Sequence, residues 1–502
     1  MSSDRAPTLG RLLAGIAAEY HGCDPETPAP ALVVDSRKIT PGAVFLALVG
    51  QTHDAHAFVP QVIAAGAGVV IGERARLPAG LAYPHVCVES SAAAYPRIAA
   101  AFHGDPGVRL RLAGVTGTNG KTTTTFLVAA MLAAAGRRHA RLGTVDNWLV
   151  DALVPAAFTT PFPLELQAQL AEVVRRGGTD LVMEVSSHAL AQGRVQPLRF
   201  CAVGMTSFSQ DHLDFHGTMD AYLEAKCLLA REHLQPGGVA VAAVDDHPAC
   251  RTFLGAARPL TSRVWRASRG ADPDAEIRVV RRLAAADGLA AEILTPLGGG
   301  LLRSPLVAEY NLDNLLVAIG LGLGLGLDLA VILEALRECH GAPGRLQRVA
   351  VDGAGGPAVY VDYAHTPEAV ERVLAALRPR ARGRLIVLLG CGGDRDRGKR
   401  PIMGRHAAAA SDRFIATSDN PRTEDPQSIL DQMIAGVAPR DRAKVTAILD
   451  RRQAIARAIA DAADDDVVVI AGKGHENYQI IGTDKRPFDD AAEAREALRA
   501  RR

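Results

Sequence analysis

The stretch that most limits how this chain can fold is Gly117-Thr118-Asn119-Gly120-Lys121-Thr122-Thr123. An apolar run at residues 110–115 leads into it, and an Ala/Leu/Thr helical pattern ending at Gly136 leaves it. Strand, glycine loop and helix in that order open a parallel-sheet nucleotide domain. Glycine lets the backbone curl so that its N–H groups face phosphate oxygens. Lys121 then lies on the β- and γ-phosphates and the Thr122 hydroxyl on Mg²⁺. The spacing is a variant, because the common phosphate loop has glycine where this chain has Val115 and its upstream glycine is Gly114. The bland alternative is a glycine turn that happens to carry a lysine.

A chain of 502 residues exceeds what one hydrophobic core serves, and three domains is the working count. Short apolar runs and a helical pattern at residues 31–90 predict a small N-terminal α/β domain. Turn residues at 103–107 place the first boundary, giving domains 1–105 and 106–342. Further buried strands at 181–185, 202–205 and 239–244 extend the central, P-loop-type parallel sheet. Turn chemistry returns at 341–344. Beyond it, apolar runs at 358–361, 385–389, 414–416 and 467–470 alternate with helical stretches, predicting a C-terminal, Rossmann-like doubly wound domain over 343–502.

Opposite charges nearly cancel at a formal net +1, which disfavours a basic field for nucleic acid or anionic membrane and points to small-molecule chemistry. The first twenty residues lack the pattern of a secretion signal, and a cytoplasmic protein is expected. Residues 315–327 are the most apolar stretch but hold four glycines and stop at Asp328; a buried helix with a glycine-rich end is expected rather than a membrane span. Seven scattered cysteines without a CxxC fit a reducing compartment and read as small buried hydrophobes.

Glu184 is the acid in the apolar run 181–185, near its C-terminal end. A carboxylate there needs a cation or hydrogen bonds. Mg²⁺ beside a phosphate loop would supply the cation; local hydrogen bonds alone are the alternative. Residues 211–217, with His212, offer further polar ligands, although a lone histidine is more often an ordinary loop residue. Lys226, in the helical stretch 219–232, reads by default as a solvated lysine.

Taken in order, the phosphate loop, Glu184-Val185-Ser186-Ser187-His188, Asp211-His212-Leu213-Asp214 and Tyr222-x-x-Ala225-Lys226 resemble the signature of the Mur ligase family. The likeness continues through Asn311-x-x-Asn314, Pro343-Gly344-Arg345, Asp362-Tyr363-Ala364-His365-Thr366-Pro367, residues 390–395 and Gly472-Lys473-Gly474-His475-Glu476. It implies an N-terminal domain for a UDP-sugar, a central ATPase domain and a C-terminal domain for an incoming amino acid. The implied reaction is amide formation that yields ADP and phosphate. ATP phosphorylates the D-glutamyl carboxylate of UDP-N-acetylmuramoyl-L-alanyl-D-glutamate, and the amine of a diamino acid attacks the acyl phosphate.

The same resemblance gives residues roles. Lys121, Glu184, His212 and Lys226 are implied as catalytic, with Thr122, Glu184, His212 and an N-carboxylated Lys226 around the metal. Gly117 to Thr123 are implied at ATP, and Arg345 and Asp362 match residues around the nucleotide without firm individual roles. Ser36, Gln51, Thr52 and His53 match the uracil side; Thr159, Thr160, Ser186, Gln192 and Arg194 match the muramoyl-peptide contacts. Arg395, Asp419, Asn420, Pro421, Arg422, Gly472 and Glu476 match the amino-acid site. Arg422 can grip a second carboxylate through its two-pronged donors, which favours meso-2,6-diaminopimelate over L-lysine, and Glu476 would take the distal ammonium. Ala55, Ala243 and Ala308 depart from the family pattern, Ala55 and Ala308 each standing in place of a glycine. A folylpolyglutamate-synthase-like ligase, a P-loop ATPase acting on nucleic acid or proteins, and a catalytically silent binding protein are the rivals. Oligomeric state is left open, with a monomer acceptable.

Overall fold

The computed structural model describes residues 6–50, 53–285, 287–351 and 356–501. By contact the chain divides into two compact units: residues up to Arg278 together with Leu316–Ile332, and Val279–Leu315 together with residues from Leu333 onward.

The first unit holds two sheets. The N-terminal sheet runs Ala18–His21, His85–Val88, Val69–Glu73, Val44–Leu46, Leu32–Val33, with the first pair antiparallel and the others parallel. Side chains alternate across it, as the pleat requires. Val69 and Ile71 join the core under the helix Ser91–Phe102, whereas Val70 joins the opposite one with Phe45 and Val62. The Leu164 amide donates to the Tyr95 hydroxyl at 3.2 Å, tying that helix to the start of Pro163–Arg175.

In the second sheet the unit's strands run Val264–Ser268, Leu234–Ala243, Phe200–Met205, Arg111–Thr116, Asp180–Glu184, His139–Leu142, all parallel, followed by antiparallel Asp146–Leu149 and Leu153–Pro155. Arg111–Thr116 is therefore central, with the glycine loop at its C-terminal end, where ligands bind in open α/β sheets. Glu184 is in register with Val115, so its carboxylate leaves the neighbouring strand beside that loop. The glycine-rich stretch 315–327 is largely buried, its helical part closing the helix Tyr310–Gly324. No helix among the described residues is long and apolar enough to cross a membrane.

The second unit contains the hairpin Leu289–Thr295/Gly298–Ser304 and a six-stranded sheet ordered Gln347–Val349, Ala358–Asp362, Val467–Ala471, Leu385–Leu389, Arg413–Ala416, Val445–Ala447. Apart from its antiparallel first strand the sheet is parallel. Tyr360, Val387 and Val469 face a core with helices Pro367–Leu377, Lys399–Ala410 and Pro426–Ala435, while Val361, Leu388 and Ile470 face one with Arg451–Ala460 and Asp490–Ala500. Helices on both faces make it doubly wound. None of the seven cysteines is in a disulfide, and four of them are buried.

One buried ion pair pins this sheet's ligand end. Arg451 and Asp490 have fully buried side chains, with both Asp490 oxygens 2.7 Å from the guanidinium, which also donates to the carbonyls of Ser418 and Ala471. Removing one partner of such a pair strands the other charge, at a cost of about 3–5 kcal/mol. Asp490→Ala is expected to raise amide exchange by two to three orders of magnitude (about 3–4 kcal/mol) in peptides covering residues 467–471, measured by hydrogen–deuterium exchange.

Candidate active site

The phosphate loop is shaped by what it must pass. Gly117 has φ +142°, and a Cβ there would stand 2.2 Å from Thr206 Oγ1, so no larger residue fits. Gly120, at φ +90°, starts the fourteen-residue helix Lys121–Ala134. The segment after strand Phe200–Met205 grips the loop from outside. Ser207 accepts from the Thr118 amide at 3.0 Å through its carbonyl and from the Asn119 amide at 2.9 Å through its hydroxyl, and the Thr118 hydroxyl meets Tyr222 at 3.1 Å. Lys121 Nζ lies back across the loop, donating to the carbonyls of Gly117 and Thr118 at 2.8 and 2.9 Å. Thr122 and Thr123 are buried behind it.

Lys226 is not the solvated lysine that its helical setting suggested. Thr218 caps the helix Met219–Glu232, and this turns Tyr222 and Lys226, one turn apart, into the unit's interior. Lys226 is 1% exposed, donates to the Gly117 carbonyl at 3.0 Å, and sits 4.3 Å from the Tyr222 ring centroid. Burial, reinforced by the charge of Lys121, pushes its ammonium well below the usual lysine range. A hydrogen-bond acceptor, not water, therefore satisfies it.

Glu184 is also buried, and Thr144 satisfies part of it: the Thr144 amide donates to Oε1 at 2.8 Å and its hydroxyl to Oε2 at 3.2 Å. A Cβ at Gly143 would come within 2.4 Å of Oε1, so the backbone approaches the carboxylate as closely as it can. A carboxylate has about four acceptor sites, which leaves capacity for a cation. His212, at φ +53° and with 45% of its side chain exposed, stands edge-on to His188 with ring centroids 4.7 Å apart; burial lowers its pKa. The Thr122 hydroxyl and the Glu184 carboxylate are oxygen donors of the kind Mg²⁺ prefers beside phosphate oxygens, and the His212 imidazole is a nitrogen donor that this ion takes less readily. Lys226 fits it only once it is no longer an ammonium, which has three donors and no lone pair.

The residues matched to the muramoyl peptide form one network with Glu184. Thr159 and Thr144 share a hydroxyl contact of 3.0 Å; Thr160 Oγ1 donates to the Glu184 carbonyl at 2.9 Å and accepts from the Ser186 amide at 3.1 Å. Arg194 donates to Thr160 O and to Gln192 Oε1, and its guanidinium lies 3.9 Å over the Phe162 ring. Ser36 and His53 follow two neighbouring parallel strands, Leu32–Val33 and Val44–Leu46, while Gln51 and Thr52 lie outside the described residues.

In the second unit, residues 419–423 are held between two loops. Asn420 Oδ1 accepts from the Ile480 amide at 2.9 Å and from Lys473 at 3.2 Å, and Asn420 Nδ2 donates to Glu476 at 2.9 Å. Arg422, at φ +51°, donates to Gly393 O at 2.7 Å. A Cβ at Gly472 would stand 2.8 Å from an Asp419 oxygen. Arg395 donates to the Asp394 carbonyl at 3.3 Å, and Asp394 accepts from Thr423. Asp362 spends both oxygens on the backbone amides of Leu346 and Ala364, and Arg345 stacks over Tyr363. Sequence reasoning gave no role to Thr144, to Lys473, fully buried between Asn420 and Glu476, or to Arg400, whose buried guanidinium clamps Glu424 and Gly392 O. The partners of Thr144 and Arg400 are remote in sequence, whereas Lys473 has both a remote one, Asn420, and a near one, Glu476, inside the GKGHE motif that alone carried a signal.

Comparison with known proteins places the chain. Residues 31–103, 115–322 and 344–474 match the Mur ligase family catalytic domain, the Mur ligase middle domain, and the Mur ligase glutamate ligase domain. It is 44% identical over 98% of its length, and 99% of the relative's, to the UDP-N-acetylmuramoyl-L-alanyl-D-glutamate--2,6-diaminopimelate ligase of Parasynechococcus marenigrum (strain WH8102). The chain belongs to the Mur ligase family. A solved Mur ligase bearing the same name shares 34% identity and a TM-score of 0.72, covering 98% of this chain and 99% of its own. Mycobacterium tuberculosis folylpolyglutamate synthase, complexed with ADP, has a TM-score of 0.58 at 19% identity, covers 74% of this chain and 90% of its own, and shares the fold alone. As a Mur ligase the chain is an ATP-dependent, amide-forming enzyme. Thr144→Ala should slow ATP-dependent turnover about tenfold, the size of one lost hydrogen bond, as read by steady-state ADP release.

Proposed function

We propose that this chain is a cytoplasmic ligase of peptidoglycan precursor synthesis that joins meso-2,6-diaminopimelate to the D-glutamyl carboxylate of UDP-N-acetylmuramoyl-L-alanyl-D-glutamate. Similarity over nearly the full length to relatives of that name, at 44% and 34% identity, supports the reading. The observation that carries the acceptor assignment is Arg422, fixed by Gly393 and Ile480 on the same loop as Asn420, which donates to Glu476. Residues 1–105, 106–342 and 343–502 are proposed as the domains for UDP-sugar, ATP and amino acid.

Carboxylate oxygen attacks the γ-phosphorus, and ADP leaves. The acceptor amine then attacks the acyl carbon and phosphate leaves. Backbone N–H groups of residues 117–123 and Lys121 bear the charge that builds on the phosphate oxygens. Thr122, Glu184 and His212 would hold Mg²⁺, which neutralises part of that charge when bound. Thr159, Thr160, Ser186, Gln192 and Arg194 orient the muramoyl peptide beside Glu184, with Ser36, Gln51, Thr52 and His53 on the uracil.

Lys226 is proposed to carry an N-carboxylate: its neutral amine adds to the carbon of CO₂ and loses a proton, so a donor becomes an acceptor for the metal. Its burial against Gly117 O and beside Lys121 supports this. Lys226→Ala should lower kcat by at least about 100-fold (about 2.7 kcal/mol), with partial recovery on adding a short carboxylic acid; full activity without rescue contradicts the modification.

The acceptor is tested by incubating the protein with the UDP-sugar dipeptide, ATP and Mg²⁺, offering meso-diaminopimelate or L-lysine, and following phosphate release and product mass. kcat/KM for L-lysine should be lower by about 100-fold, as two charge-assisted hydrogen bonds would give. Arg422→Ala should erase most of that difference. Equal efficiency for both acceptors overturns the diaminopimelate assignment and leaves the ligase intact.

A further inference from the structure

A second set of ligands lies far in sequence from the phosphate loop, on the edge of the N-terminal sheet. Strand Ala18–His21 pairs antiparallel with His85–Val88, in a register that sets His21 opposite His85 and Glu19 opposite Cys87. Side chains two apart on a strand share a face, so all four project to the same side. Tyr20, Val86 and Val88 take the other side, against the core under helix Ser91–Phe102. One ligand atom from each of His21, His85 and Cys87 lies within 4.8 Å of the others. The two imidazoles are stacked, with centroids 4.5 Å apart and planes 11° apart.

Two features separate this from an ordinary cross-strand histidine pair. His85 Nδ1 is 2.8 Å from the Tyr83 carbonyl, which can only accept, so Nδ1 carries the proton and Nε2 keeps its lone pair. A backbone carbonyl fixing one ring nitrogen is how metal-binding histidines are held. The Cys87 thiol is buried on that same face, while His21 is exposed, so the group opens to solvent on one side. Cys23, nearby, is spent differently, its thiol donating to the His85 carbonyl at 3.5 Å.

We propose that His21, His85 and Cys87 form a site for a thiophilic divalent transition cation, of which zinc is the type. A thiolate beside two imidazoles selects such an ion over Mg²⁺, which prefers oxygen ligands. Zn–N and Zn–S bonds of about 2.0 and 2.3 Å put tetrahedral ligands roughly 3.5 Å apart, so the trio closes by rotation of the exposed His21. Binding releases the Cys87 thiol proton to solvent as the sulfur becomes a thiolate ligand. Water fills the fourth position, or Glu19, whose Oε2 is 4.0 Å from His21 Nε2 and now pairs with Arg74.

The test is a Co²⁺ titration of the full chain with Mg²⁺ in excess, reading the near-ultraviolet charge-transfer band of a cobalt–thiolate bond. One equivalent should develop the band and Zn²⁺ should abolish it. Cys87→Ser should remove it, and Cys23→Ser should leave it. His21→Gln, at an exposed position that does not threaten the fold, should weaken affinity at least tenfold. Absence of the band, its survival in Cys87→Ser, or unchanged affinity in His21→Gln overturns the site.

Discussion

Lys121 and Lys226 both donate to one carbonyl oxygen, that of Gly117, at 2.8 and 3.0 Å. Two ammonium groups so close repel each other, and one of them is cut off from water. The arrangement is balanced in two ways: an anion arrives, or one lysine gives up its positive charge. Phosphate is the anion the glycine loop is shaped to receive, and Lys226 is the lysine whose surroundings favour neutrality. Much of the first unit's geometry follows from holding that carbonyl in place. Gly117 is the residue that passes Thr206, the segment 206–209 braces the loop, and Tyr222 both touches Thr118 and walls in Lys226.

The parallel sheets were legible because their strands are apolar on both faces, and residues 181–185, 385–389 and 467–470 read as buried runs for that reason. The phosphate loop was legible because its constraints are local, a strand end, two glycines and a helix start. Lys226 was misjudged from its helical setting because the side of a helix that is buried depends on what packs there, and its acceptor, the Gly117 carbonyl, is brought to it only by the fold. Thr144, remote in sequence from Glu184, carries no local mark of its role. Arg400 carries no local mark either, since its partner Glu424 comes from beyond the strand Arg413–Ala416. Ala308 shows the reverse case: read as standing in a glycine's place, it has φ +76°, a backbone that glycine adopts without strain.

The clamp around residues 419–423 has a consequence for how the second unit meets a ligand. Arg400 fixes Glu424, whose carboxylate accepts from the Asp394 amide, and Asp394 in turn holds Thr423 beside Arg422. Each link is made within the protein before any amino acid arrives. Little conformational freedom remains for this loop to lose on binding, so the entropic penalty that usually erodes a charged contact is met during folding instead. Recognition at such a loop is a matter of fit to a standing shape, and discrimination between acceptors is then written largely into the residence time of the bound molecule.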